Sequence, residues 1–98
     1  MNVLTMNAFA LGHAVTRKNE QGTLKTIFAV ETDGGELPLH FNCITFGLSA
    51  ERASKIVEGD EVLLSGKLTT SAATKKMTVV VNAIEILTEE IQATADSK

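Results

Sequence analysis

Cys43, His13 and His40 carry the side chains that most readily serve as nucleophile, general base or metal ligand, and their spacing supports none of those roles. Cys43 lies inside an apolar run, and the two histidines are isolated. No nucleophile motif, metal-ligand cluster or glycine-rich phosphate loop accompanies them. The sequence therefore predicts neither an enzyme nor a metal or cofactor site. A single cysteine forms no intramolecular disulfide, so a buried thiol in a reducing compartment is the natural reading. What is left is non-covalent chemistry. It resides in four phenylalanines, Phe9, Phe28, Phe41 and Phe46, and in two groups of cations: Arg17, Lys18 and Lys25, and Lys67, Lys75 and Lys76.

The elements that must position these residues are mostly strands. Apolar residues from Val3 to Val15 come close to alternation, with Gly12 marking a bulge or sharp bend in a long first strand. The polar run Arg17 to Gly22 reads as a hairpin loop. It leads into a second strand, Thr23 to Thr32, rich in β-branched residues. Asp33, Gly34 and Gly35 supply the next turn. In a third strand from Leu37 to Phe46, alternation puts His40, Asn42, Ile44 and Phe46 on one face and Leu39, Phe41, Cys43 and Thr45 on the other. The second set is the more apolar, so it faces the core and Phe46 projects outward. Phe28 lies on the opposite face from Ile27 and is expected to flank any groove there, whereas Phe9 and Phe41 are expected in the core.

From Leu48 to Val57 the pattern turns helical, with Ser49 as the expected cap and Glu58-Gly59 as the close. Val62 to Leu68, broken at Gly66, and Met77 to Leu87 are two further strands joined by a polar loop, Thr69 to Lys76. Three strands, a helix, then two strands is the order of an all-β, five-stranded OB-fold Greek-key barrel with one short helix between strands three and four. The expected barrel covers residues 1–87, followed by a polar tail, 88–98.

Composition agrees with one globular domain. The chain has 98 residues, 44% apolar and 21% charged, with a single proline. Met1 to Leu11 carries no basic start and reads poorly as a signal peptide. No apolar run reaches the ~18 residues of a membrane span, so the cytoplasm is expected. The net charge of −3 runs against a polyanionic partner. However, Glu85, Glu89, Glu90 and Asp96 lie near the end with only Lys98 beside them, which leaves residues 1–84 neutral.

Phe41-Asn42-Cys43-Ile44-Thr45-Phe46-Gly47 resembles the strand-three signature of the bacterial single-stranded-DNA-binding proteins. Ala50-Glu51-Arg52-Ala53, Val57-Glu58-Gly59-Asp60-Glu61-Val62 and Ser65-Gly66-Lys67-Leu68 are similar to that family's helix, glycine turn and interrupted strand, and Asn7 through Gly12 to its opening strand. The likeness spans about Asn7 to Leu87. It implies a barrel that wraps single-stranded DNA without sequence preference in replication, recombination or repair, stacking bases on aromatic rings and meeting phosphates with cations.

Phe46 matches a family stacking position; its alternative is core or subunit packing. His40 stands where the family usually has an aromatic, and either contacts a base or phosphate or is merely exposed. Lys67, Lys75 and Lys76, with Arg17, Lys18 and Lys25, either line a phosphate groove or simply solubilise. With no tryptophan or tyrosine, and with Thr69 to Lys76 in place of a basic, aromatic loop, weaker binding or fewer nucleotides per subunit is expected. The family's acidic-hydrophobic tail tip has no counterpart in the sequence, so recruitment of replication or repair proteins through one is not expected. The resemblance also implies a homo-oligomer, a tetramer before a dimer, paired through strand one. A primosome-type accessory protein, or an interaction module with weak DNA binding, is the competing reading, because fold alone does not decide function.

Overall fold

The computed structural model describes residues 3–70 and 77–88. Among these, six strands form one sheet: β1 Leu4–Ala10, β2 Val15–Lys18, β3 Leu24–Thr32, β4 Leu39–Phe46, β5 Glu61–Thr70 and β6 Met77–Ile86. One helix, α1 Leu48–Ala53, lies between β4 and β5.

The long first strand of the sequence is two strands because the chain changes partners. β1 pairs with β5 through Phe9, and only Phe9 and Ala10 reach β3. After the bend at 11–14, β2 runs antiparallel to β3 from Val15↔Ile27 to Lys18↔Leu24. The order β1-β5-β6-β4-β3, closed by the β1–β3 pairing, makes a five-stranded barrel with β2 continuing the first strand. β4 and β6 run parallel, and every other pair is antiparallel.

Local chemistry sets the turns. The Asn19 carboxamide oxygen accepts the Gln21 and Thr23 amides at 2.9 Å each, closing the β2–β3 hairpin. After β3, Asp33 Oδ1 accepts the Gly35 amide at 2.8 Å. β4 begins at Leu39, two residues later than the sequence suggests, immediately after Pro38, which has no amide hydrogen for the ladder. α1 ends earlier than expected and is not capped by Ser49. Gly47, at φ 67°, occupies the N-cap position, while the Ser49 hydroxyl donates to the Asn82 carbonyl at 3.0 Å and ties the helix to β6. Val57 N–H donates to Asp60 Oδ2 at 3.0 Å, guiding the chain into β5.

β5 is not broken at Gly66. It passes through with a register shift between Ser65 and Gly66, the mark of a bulge. A Cβ there would collide with the Val80 carbonyl, so the close approach of β5 to β6 requires glycine.

Inward residues fill the barrel: Ala8, Phe28, Val30, Cys43, Val62, Leu64, Val79 and Ile84 among them, with Ala53 and Ile56 from the helix and the chain after it. Two polar residues share this interior. Thr26 Oγ1 donates to the Ala50 carbonyl at 2.6 Å and Thr45 Oγ1 to the Val81 carbonyl at 2.9 Å, so neither hydroxyl is left unsatisfied.

Candidate nucleic-acid interface

Because Thr26, Phe28 and Val30 point inward on β3, Lys25, Ile27, Ala29 and Glu31 must point outward. On β4 the same alternation turns Cys43 and Thr45 in and His40, Asn42, Ile44 and Phe46 out. The ladder register pairs these outward residues as Lys25↔Phe46, Ile27↔Ile44, Ala29↔Asn42 and Glu31↔His40. β2 extends the surface with Arg17↔Lys25 and Val15↔Ile27, and β6 and β5 extend it the other way through Ile44↔Val80 and Val80↔Lys67. One row, Val15-Ile27-Ile44-Val80-Lys67, thus crosses five strands on the barrel's outer face.

Phe46 is 48% exposed and neighbours this row. Arg17, Lys18, Asn19, Lys25, Ile44 and Phe46 surround a concavity of about 390 Å³. A ring set beside two lysines and an arginine, on an aliphatic floor, can stack on a flat π-face and meet anionic groups nearby. Its exposure comes from β4 ending there: Gly47 turns the chain into α1 immediately afterwards.

His40 lies on the same face but six residues away, about 20 Å along a strand at ~3.3 Å per residue. Its Nε2 sits 3.0 Å from Glu31 Oε1, with both side chains well exposed. A second concavity, about 400 Å³, includes His40, Ala29, Asn42 and Met77. The face is therefore polarised. Cations gather at the Phe46 end, and the one carboxylate of the β3–β4 rows stands at the His40 end.

Two phenylalanines lie where the sequence reading did not put them. Phe28 does not flank the groove; it is 3% exposed and packs in the core, because it alternates with Ile27 and Ile27 is the outward residue. Phe9 is not core; it is 53% exposed, since Ala8 and Ala10 are the inward residues of β1. Phe41 packs against the core as expected. Arg17, Lys18, Lys25 and Lys67 are on or beside the outer face, whereas Lys75 and Lys76 lie outside the described residues. Sequence reasoning passed over Val15, Ile27 and Val80, although the parity used for the third strand, applied to the second, would have found Ile27.

A helix between the third and fourth strands of a closed five-stranded barrel, with the third and fifth strands parallel, decides the fold. The chain is an OB-fold barrel. Solved structures share the OB-fold over most of its length. It resembles the SSB domain of a Synechococcus protein, with a TM-score of 0.78 and 21% identity over 87% of this chain and 94% of that one. The single-stranded DNA binding protein of Thermus aquaticus is similar too, with a TM-score of 0.79 and 20% identity over 88% of this chain; the match spans 40% of that longer protein. The PriB protein of Ralstonia solanacearum aligns with a TM-score of 0.73 and 15% identity, covering 88% of this chain and 98% of that one. No family model matches the sequence, and no curated protein matches it.

Proposed function

We propose that this OB-fold barrel is a bacterial-type single-stranded-DNA-binding protein that holds single strands without sequence preference during DNA replication, recombination or repair. One observation carries the reading: Phe46 stands half-exposed beside Lys25 and Arg17, on the same outer face as the aliphatic row that ends at Lys67. A base stacks on the Phe46 ring, its neighbours rest on Ile27, Ile44 and Val80, and Arg17, Lys18, Lys25 and Lys67 meet the phosphates. Stacking tolerates any base because each presents a π-face, which fits binding without sequence readout. The proteins of similar fold from Synechococcus and Thermus aquaticus are described as single-stranded-DNA-binding, which is consistent with this reading.

The role is non-catalytic. We place the protein in the cytoplasm; no described helix is long and apolar enough to cross a membrane. Self-association belongs to the same reading, with a tetramer before a dimer. β1 meets β3 only at Phe9 and Ala10, so among the described residues no strand pairs with the second edge of its first half, which another copy would cover.

The test is fluorescence anisotropy with labelled oligo-dT and a matched duplex over a range of salt. Preference for the single strand, weakened by salt, is the expected result. Equal affinity for both, or no binding at low salt, would overturn the proposal.

A further inference from the structure

Beyond DNA binding, we propose that the concavity beside Phe9 docks an extended segment of a partner protein in which lysine or arginine flanks an apolar anchor. The concavity measures about 480 Å³, and its apolar lining comes from Phe9 on β1 with Leu37 and Pro38 in the β3–β4 loop. Phe9 is 53% and Leu37 75% exposed, so both present large apolar surface to solvent. Three carboxylates, Glu31, Asp33 and Glu36, line the same space, and among the described residues no lysine or arginine does; His40, 3.0 Å from Glu31, stands at its edge and leaves Asp33 and Glu36 to a cationic partner. A fourth, Glu61, stands across the β1–β5 ladder from Phe9.

Charge complementarity selects the occupant. An apolar floor with a carboxylate rim repels nucleic acid and anionic membrane surfaces, and it attracts a cationic peptide that has a side chain to bury. The volume falls within the range of ~300–1,000 Å³ common for ligand pockets, enough for an anchoring side chain and its neighbours. The walls are held before binding: Asp33 Oδ1 accepts the Gly35 amide at 2.8 Å, and Thr32 Oγ1 donates to the Asn7 carbonyl at 2.8 Å. Ordering the loop therefore takes little from the affinity. Phe46 lies at the opposite end of β4, so a strand of DNA and a peptide can be held together.

The experiment is an NMR titration of the full chain with the capped peptide Gly-Lys-Lys-Phe-Lys-Lys-Gly and with its glutamate counterpart. The expected result is saturable shifts at Phe9 and across 33–38 with the lysine peptide alone. The double variant D33N/E36Q removes two charges while the carboxamide introduced at position 33 still accepts the Gly35 amide. It should weaken the peptide about five- to tenfold, as expected for two exposed ion pairs. Phe9→Ser should weaken it further. Shifts centred on Arg17, Lys25 and Phe46, or undiminished binding by D33N/E36Q, would overturn the proposal. So would a drop in sedimentation-equilibrium mass in D33N/E36Q, since the occupant would then be a second copy's Arg17–Lys25 hairpin. None of these outcomes depends on whether the Phe46 end of the barrel binds DNA.

Discussion

Lys25 stands directly across the β3–β4 ladder from Phe46, so the barrel's exposed aromatic ring on this face has a cation as its cross-strand neighbour. Directly opposed residues in an antiparallel pair bring their Cβ atoms within ~4.5–5.5 Å. One nucleotide can therefore place its base on Phe46 and its phosphate on Lys25. Phe46→Ala should lower affinity for oligo-dT by about tenfold or more, since a stacked base contributes about 1–3 kcal/mol. Phe46→Trp should restore binding or strengthen it. The thermal midpoint should barely move in either variant, because the ring is half exposed. Anisotropy and a melting curve on the same samples separate the two effects.

The cations are expected to appear in the salt dependence. Each phosphate contact to a single strand contributes about −0.7 to the slope of log K against log salt. Arg17, Lys18, Lys25 and Lys67 together should give a slope of roughly −2 to −3 per protomer. Lys25→Ala should make the slope shallower by about 0.7 for every sequence tested. An unchanged slope would assign Lys25 to solvent rather than phosphate.

Glu31 places a carboxylate on the outer face beside His40, whose Nε2 lies 3.0 Å from Glu31 Oε1. Exposed pairs of this kind contribute about 0–1 kcal/mol to stability, so the pair is not needed for folding. Glu31→Gln should leave the melting midpoint nearly unchanged and raise affinity for single strands about two- to fivefold by removing a repulsion. The gain should shrink as salt rises.

Phe28 and Phe46 show what was legible in the sequence and what was not. The direction of Phe46 follows from parity alone, because Cys43 and Thr45 have to share the more apolar face. The same rule places Phe28 inside with Thr26 and Val30; setting it at the groove weighs aromatic type above register. Phe9 departs in the opposite sense: hydrophobicity favours burial only statistically, and the barrel wall at β1 is filled by Ala8 and Ala10 instead. The order of strands and the helix was readable from periodicity and turn residues. The irregularities at Gly12 and Gly66 were readable as well, but not that the first is a change of pairing partner and the second a register shift within one continuous strand, since both arise from pairing between segments far apart in the chain.

The corrected position of Phe28 makes a stability prediction. Phe28→Ala should cost about 3–5 kcal/mol, from lost burial plus the cavity left behind. For a domain of ordinary stability, about 5–15 kcal/mol, that is a large fraction of the total. Phe28→Leu should cost far less, and the folded fraction of either variant should bind oligo-dT as the natural chain does. Chemical denaturation followed by binding under native conditions distinguishes this from a groove role, which would lower affinity without lowering stability.

Cys43 gives the last prediction, one about pH. The thiol lies in the barrel interior, and burial pushes its pKa from 9.0 up to about 12. Desolvation is the cause, because burial in an apolar interior disfavours the charged thiolate. In the unfolded chain the thiol ionises near its ordinary value, so above pH ~9 the unfolded state binds fewer protons than the native state. The contribution of the neutral thiol to stability is therefore complete below pH ~9 and is lost progressively as pH rises from there toward about 12. Cys43→Ala should flatten that decline while costing some stability at neutral pH, since the methyl group fills less of the core. The same burial should make the native thiol slow toward a disulfide reagent at pH 8, with labelling at the rate of barrel opening. Fast labelling of the folded protein would show that the thiol is reached without opening the barrel.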